Sequence, residues 1–110
     1  MPPAKRDLLP GTLEMMVLKT LTAQPMHGYG IALHIRRLSN DVLQIEEGSL
    51  YPALQRMRQR GWIKAEWKQT PNNQRARYYT ITAGGKKQLG EQHTGFAALV
   101  AAIALVMKPS

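Results

Sequence analysis

The 110-residue sequence contains no cysteine, a single phenylalanine and only seven acidic residues against fifteen basic ones. The absence of cysteine excludes disulfides, thiolate metal sites and a cysteine nucleophile. The three histidines (His27, His34 and His93) are dispersed, without a carboxylate arrangement around them, so we expect no metal site and no cofactor. The chain also lacks a glycine-rich phosphate loop, a nucleophile elbow and a metal-hydrolase helix motif. These absences predict a protein that is not an enzyme.

Long hydrophobic runs are also lacking. The longest, at 96–107, has 12 residues, which is shorter than the roughly 17–25 residues that span a bilayer. Lys5 and Arg6 are not followed by the apolar run of a signal peptide. A chain of this length is also too short to divide into two hydrophobic cores. We therefore expect a soluble, cytoplasmic protein with a single main core.

The shortage of acids is concentrated in one part of the chain. Between Ser49 and Gln88 there are nine basic residues and one acid, Glu66, so this segment carries the whole formal net charge of +8. A one-sided basic field of this kind raises the local concentration of polyanions and indicates a nucleic-acid partner. Charge alone does not distinguish DNA from RNA, although an RNA-binding sheet usually presents an array of exposed aromatic residues, which is not evident here.

Hydrophobic periodicity predicts two helices in the first third of the chain. Apolar residues recur at helical spacing between Leu13 and Leu21, and again between Ile31 and Leu38. His27 is expected at the start of the second helix. A turn signal at 39–41 ends that helix.

A third helix is predicted from a Ser49 cap and a start near Leu50, with Pro52 tolerated in its first turn and Gly61 at its end. Its apolar positions form one buried stripe. The residues expected on the opposite side or flanking it are Tyr51, Gln55, Arg56, Arg58, Gln59 and Arg60.

A hairpin follows directly. Ile63, Ala65 and Trp67 alternate with polar residues, which predicts a half-buried strand in which Trp67 packs against the core. A turn at 70–73 leads to a return strand at 77–82. The role of Trp62 stays open.

The last helix is predicted from a Thr82 cap, although four glycines weaken it. Apolar residues at heptad-like spacing form a seam that is typical of a helix with a partner helix. The seam residues, predicted to mediate dimerisation, are Leu89, Phe96, Leu99, Ile103 and Val106.

Four separated segments resemble one known family. They are LLPGTLEMMVLKTL (8–21), MHGYGIALHI (26–35), EEGSLYPAL (46–54) and RARYYTITAGG (75–85). In this order they closely resemble PadR-type transcriptional regulators, and the resemblance covers nearly the whole chain.

The resemblance implies an α+β, mainly α fold, a winged helix-turn-helix with three helices, a two-stranded β wing and a C-terminal dimerisation helix. The expected DNA-binding domain is 8–82 and the expected dimerisation helix is 83–107. In the family the third helix enters the major groove, members commonly repress genes, and some are released by small molecules. Any such effector of this chain is unknown. Arg58 departs from the family, which often has an acid there.

The residues predicted to contact DNA are Ser49, Tyr51, Pro52, Gln55, Arg56, Arg58, Gln59, Lys68, Arg75 and Arg77. Gln55 and Arg58 can make paired hydrogen bonds to adenine and guanine edges. Arg75 and Arg77 are expected at phosphates or the minor groove. A merely solvated helix face would show the same run of charge, but its coincidence with a basic wing favours base contact.

The predicted function is a sequence-specific DNA-binding regulator, a homodimeric repressor that acts on an inverted-repeat operator. The alternative is a dimeric module that binds a small molecule or a protein and whose basic surface is incidental. An aromatic cluster on the last helix would favour the alternative, and only Phe96 is available there.

Overall fold

The computed structural model describes residues 11–109. These residues form four helices and three strands: α1 (Thr12–Leu21), β1 (Met26–His27), α2 (Gly28–Leu38), α3 (Glu47–Gln59), β2 (Ile63–Gln69), β3 (Arg75–Ile81) and α4 (Ala83–Met107). The first three residues of the predicted DNA-binding domain, 8–10, lie outside the described residues.

The first three helices enclose the hydrophobic core. Their largest fully buried side chains are Val17, Leu18, Ile31, Leu50, Leu54 and Met57. The burial of each of these apolar side chains contributes roughly 1.5–3 kcal/mol to the stability of the fold. Because buried residues recur at three- and four-residue spacing on each helix, one face points inward and the polar face stays in solvent. The periodicity-based prediction of these three helices is confirmed.

The predicted start of the third helix was wrong. α3 begins at Glu47, and the carbonyl of Glu46 accepts hydrogen bonds from the amides of Ser49 (3.0 Å) and Leu50 (2.9 Å). Ser49 is therefore the third residue of the helix, and the side chain of the N-cap residue, Glu46, makes no capping hydrogen bond. Pro52 lies inside the helix, in its second turn, where its missing N–H leaves the Gly48 carbonyl without its usual helical donor.

The sheet contains one more strand than the sequence predicted. The β2–β3 hairpin (63–81), hereafter the wing, is antiparallel and pairs Ile63 with Ile81 and Ala65 with Tyr79. The two-residue strand β1 pairs with the other edge of β3, which gives the order β1-β3-β2. A strand of two residues is too short to produce a period-two pattern. β1 ties the base of the wing to the start of α2.

The root of the wing is joined directly to the start of α4. The Thr82 amide donates to the Trp62 carbonyl (3.0 Å), and the Thr82 hydroxyl donates to the Gly61 carbonyl (2.6 Å). The same hydroxyl accepts from the Gly85 amide (3.0 Å), so the predicted Thr82 cap is confirmed. A Cβ at position 85 would lie 2.1 Å from the Trp62 carbonyl oxygen. Only glycine allows this close approach.

Helix α4 is supported by the domain only at its beginning. Leu89 packs against the core, whereas Leu99, Ile103 and Val106 are exposed. By length and composition alone this one helix could also cross a membrane, although such evidence is weak when it comes from a single helix. The sequence prediction considered only the uninterrupted apolar run, which is shorter than the helix. The C-terminal part of α4 therefore presents an exposed apolar surface.

Candidate nucleic-acid interface

A concave surface of about 700 Å³ lies between α3, the start of α2 and the wing. This groove brings together predicted DNA-binding residues from two separate elements. They are Tyr51, Gln55 and Arg58 from α3 and Arg75 and Arg77 from the wing. Of the described residues that line the groove, none is acidic. The groove is therefore a positively charged surface suited to an anionic partner.

Helical spacing places the three α3 residues on one side of the helix. Tyr51, Gln55 and Arg58 follow one another at four and three residues, so they lie one turn apart. The aromatic ring and hydroxyl of Tyr51 lie against Gly28 at the start of α2, where an added Cβ would be 3.0 Å from them. Glycine at position 28 thus lets α2 fix the Tyr51 ring while the side chain stays 45% exposed.

The inner face of the wing changes from apolar to basic along its length. The first cross-strand pairs, Ile63 with Ile81 and Ala65 with Tyr79, are buried or half-buried, and Trp67 with Arg77 follows. Trp67 is 57% exposed, so the expectation that it packs against the core was wrong. Position 67 lies two residues farther along the strand than Ala65, beyond the edge of the helical core.

Trp67 instead contacts the two wing arginines. The guanidinium carbon of Arg75 lies 5.4 Å from the centroid of the Trp67 ring, and that of Arg77 lies 5.8 Å from it. Both distances are within the range of cation–π attraction. The register of the hairpin places residues 67, 75 and 77 on one face of the sheet. Counting alternate residues from the predicted turn would have located this cluster in the sequence.

Tyr79 forms the base of the groove. Burial raises the pKa of the Tyr79 hydroxyl above its ordinary value of 10.0, Tyr51 raises this pKa further, and the positive charges of Arg77 and Arg58 partly offset the rise. Tyr79 therefore remains neutral at physiological pH. The Nε atom of Arg77 is buried and has no hydrogen-bond partner within residues 11–109. The groove is thus partly desolvated at its base and basic toward its mouth.

Arg56 lies on the other flank of α3. Its Nη2 atom donates to Oε1 of Glu14 in α1 at 2.8 Å. The Glu14 side chain is 12% exposed and that of Arg56 is 49% exposed. Arg56 does not line the groove. The ion pair connects α3 to α1.

The remaining predicted DNA-binding residues are not gathered in the groove. Lys68 lies on the outer face of the wing, where its Nζ is 3.1 Å from a Glu66 carboxylate oxygen and 5.8 Å from the Tyr78 ring centroid. Ser49, Pro52 and Gln59 are exposed on α3 outside the groove.

Two aromatic side chains whose roles the sequence left less certain have structural contacts. Trp62 packs against the core with the Arg60 guanidinium 5.1 Å from its ring centroid. His27 caps α2, as its Nδ1 accepts from the Gly30 amide at 3.0 Å, which confirms the predicted helix start. Between residues 11 and 109 no group of three or more potential ligands could hold a metal ion.

Residues 17–91 match the model of the transcriptional regulator PadR-like family. The chain belongs to the PadR-like family. A protein of Lysinibacillus sphaericus, described as uncharacterized, is 30% identical over 87 residues, which cover 79% of this chain and 80% of that protein. This relative adds no function of its own.

Solved structures agree with membership of the PadR-like family. A transcriptional regulator from Clostridium thermocellum is similar with a TM-score of 0.82 and 26% identity, covering 89% of this chain and 95% of that one. A PadR family transcriptional regulator from Eggerthella lenta has a TM-score of 0.75 and 27% identity, with 91% and 85% covered. This PadR-like protein is therefore a DNA-binding transcriptional regulator of winged-helix fold and not an enzyme.

Proposed function

We propose that this PadR-like regulator is a cytoplasmic repressor that binds an inverted-repeat operator as a homodimer. The observation that carries the proposal is the groove in which Tyr51, Gln55 and Arg58 of α3 lie beside Arg75 and Arg77 of the wing, with no acid among its described lining residues. A DNA duplex in this groove would contact α3, which carries side chains able to bind base edges, and at the same time the basic side chains of the wing. We call α3 the reading helix for this reason.

In this proposal α3 enters the major groove. Gln55 and Arg58 make paired hydrogen bonds to base edges, and Tyr51 contributes a hydroxyl or a contact with a thymine methyl group. Ser49, Pro52 and Gln59, which are exposed on the same helix, lie close to the phosphates on either side. Arg56 is assigned to the pairing of α3 with α1, because Glu14 already occupies its guanidinium.

The wing supplies backbone contacts. Arg75 and Arg77 lie at phosphates or in the adjacent minor groove, where cations are attracted regardless of base sequence. Lys68 is on the outer wing face and already pairs with Glu66. We assign it a long-range contribution to attraction with no contact in the groove.

The homodimer is proposed to form through α4. Leu99 and Ile103 are each about half exposed and Val106 is 82% exposed, although all three are apolar. Together with Leu89 and Phe96 they form the predicted seam, and a second copy of α4 would cover it. Burial of this seam would also supply the support that a glycine-containing helix lacks by itself.

The experiment begins with selection of genomic fragments by the purified protein, followed by binding to single-base variants of the selected operator. A twofold dimer predicts half-site centres about 10–10.5 bp apart or a multiple of that distance. Gln55→Ala and Arg58→Ala should each lose roughly 1–3 kcal/mol at one symmetric pair of positions and much less on random DNA. Lys19→Ala, which removes an exposed charge from α1, is the matched control.

Equal losses on every DNA sequence would contradict base reading by α3 and assign specificity to the wing or to DNA shape. The repressor assignment is tested by transcription in vitro from the operator-bearing promoter. Addition of the protein should lower transcript yield, and an increase would identify an activator.

A further inference from the structure

We infer that Trp67 is a positioning residue for DNA binding, whose ring holds the Arg75 and Arg77 guanidinium groups together on the groove side of the wing. This inference rests on the proposed contact between the wing and the DNA backbone. It assigns a function to a side chain that neither the core nor the reading helix uses.

The strand register places the three side chains on one face. Trp67 is paired with Arg77 across β2 and β3, and Arg75 is the next residue on the same face, paired with Gln69. Both guanidinium carbons lie within 6 Å of the ring centroid. Trp67 is 57% exposed, so it is not part of the core.

The nearest acid on the wing does not take this role. Glu66 is adjacent to Trp67 but points to the opposite sheet face, where it pairs with Lys68 at 3.1 Å. Within residues 11–109 no carboxylate forms an ion pair with Arg75 or Arg77. The face of the tryptophan ring is thus the attractive group that both cations share.

This arrangement prepares the wing for a polyanion. Two guanidinium groups at alternate positions of one strand repel each other and have long, flexible side chains. The negative face of an indole ring attracts both cations without neutralising either. The side chains are therefore partly ordered before DNA arrives, which lowers the entropy lost on binding, and both charges remain available to phosphates.

The first experiment examines the free protein. NMR chemical shifts of the Nε–H groups of Arg75 and Arg77 should show the ring current of Trp67. These shifts should move toward random-coil values in Trp67→Ala and stay displaced in Trp67→Phe. Unchanged shifts in Trp67→Ala would overturn the inference before any DNA is added.

The second experiment is a binding cycle on the selected operator with four proteins: wild type, Trp67→Ala, Arg75→Ala/Arg77→Ala, and the triple variant. Trp67→Ala should weaken binding roughly three- to tenfold, because the arginines would then be less ordered before DNA binds. Trp67→Phe, a fifth protein measured beside the cycle, should restore most of the affinity. The salt slope should stay unchanged in Trp67→Ala, since no phosphate contact is removed. In the double arginine variant that slope should flatten by roughly 0.9 per lost contact.

The triple variant decides between positioning and direct contact. If Trp67 acts through the arginines, Trp67→Ala should have no further effect once both arginines are absent. An additional loss there would show that the ring itself touches DNA and would overturn the inference. Normal binding by Trp67→Ala, with weakened binding by the double arginine variant, would also overturn it while sparing the wing contact. Normal binding by the double arginine variant would refute the wing contact itself, and this inference with it.

Discussion

Replacing Arg56 by alanine should destabilise the fold and leave DNA binding by the folded protein nearly intact. Arg56 donates to Glu14 at 2.8 Å, and the Glu14 side chain is only 12% exposed. Removing the arginine leaves a mostly buried carboxylate without the cation that offsets its desolvation. A charged hydrogen bond contributes roughly 1.5–3 kcal/mol. Because the Arg56 side chain is about half exposed, solvent screening reduces the expected loss to about 1–2 kcal/mol.

The assay is denaturant unfolding at one fixed protein concentration, since assembly would make stability depend on concentration. A double-mutant cycle with Glu14→Gln isolates the pair, and the two single losses should add to more than the loss in the double variant. Gln59→Ala, an exposed change on the same helix, should alter stability by less than about 0.5 kcal/mol. Arg56→Ala could instead leave stability unchanged, weaken DNA binding and flatten the dependence of affinity on salt. That result would identify Arg56 as a phosphate contact and refute its assignment to the ion pair with Glu14.

Three further changes test the assembly, the junction and the groove. Ile103→Glu should convert the proposed dimer to monomer in sedimentation, whereas Leu105→Glu, on the other side of α4, should not. A persistent Ile103→Glu dimer would place the interface elsewhere. Gly85→Ala should lower the thermal midpoint of unfolding strongly, because its Cβ would lie 2.1 Å from a carbonyl oxygen. Gly90→Ala is the control: its Cβ would meet no atom within 4 Å, so this change should gain up to about 1 kcal/mol of helix propensity. The raised pKa of Tyr79 means that the fold favours its neutral form. The stability that this preference contributes is complete below pH 10.0 and is lost as the pH rises through the pKa of Tyr79 in the folded protein. The stability of Tyr79→Phe should not fall in this way when unfolding is measured at alkaline pH.

The features that the sequence predicted correctly are those that a local rule determines. Helical periodicity located the buried stripe that ends at Met57, and the Thr82 cap was predictable because its hydroxyl bonds an amide three residues away. The start of α3 was not, because a serine in the third helical position produces the same local sequence as a serine cap. The backbone carbonyl of Glu46 accepts from the amides of Ser49 and Leu50, so both residues already belong to the helix.

The other differences depend on distances along the chain that no local pattern encodes. The partner of Arg56 is Glu14, 42 residues away, and β1 exists only because β3 passes beside it. Trp67 fits the alternating pattern of a half-buried strand, but strand β2 extends past the edge of the hydrophobic core, so the Trp67 side chain is exposed. An aromatic residue in a period-two pattern is therefore a good predictor of sheet face and a poor predictor of depth.

The hydrogen bonds between Gly61, Thr82 and Gly85 have a mechanical consequence. They connect the end of α3, the root of the wing and the beginning of α4 at one corner of the fold. Helix α4 has 25 residues and, at 1.5 Å per residue, is a lever arm of roughly 37 Å. A rotation of about 5° at the corner would displace its far end by roughly 3 Å over that length. In the proposed dimer, a change in the angle at which the two α4 helices cross would move both DNA-binding domains together. The half-site spacing that the dimer fits would then change with the crossing angle.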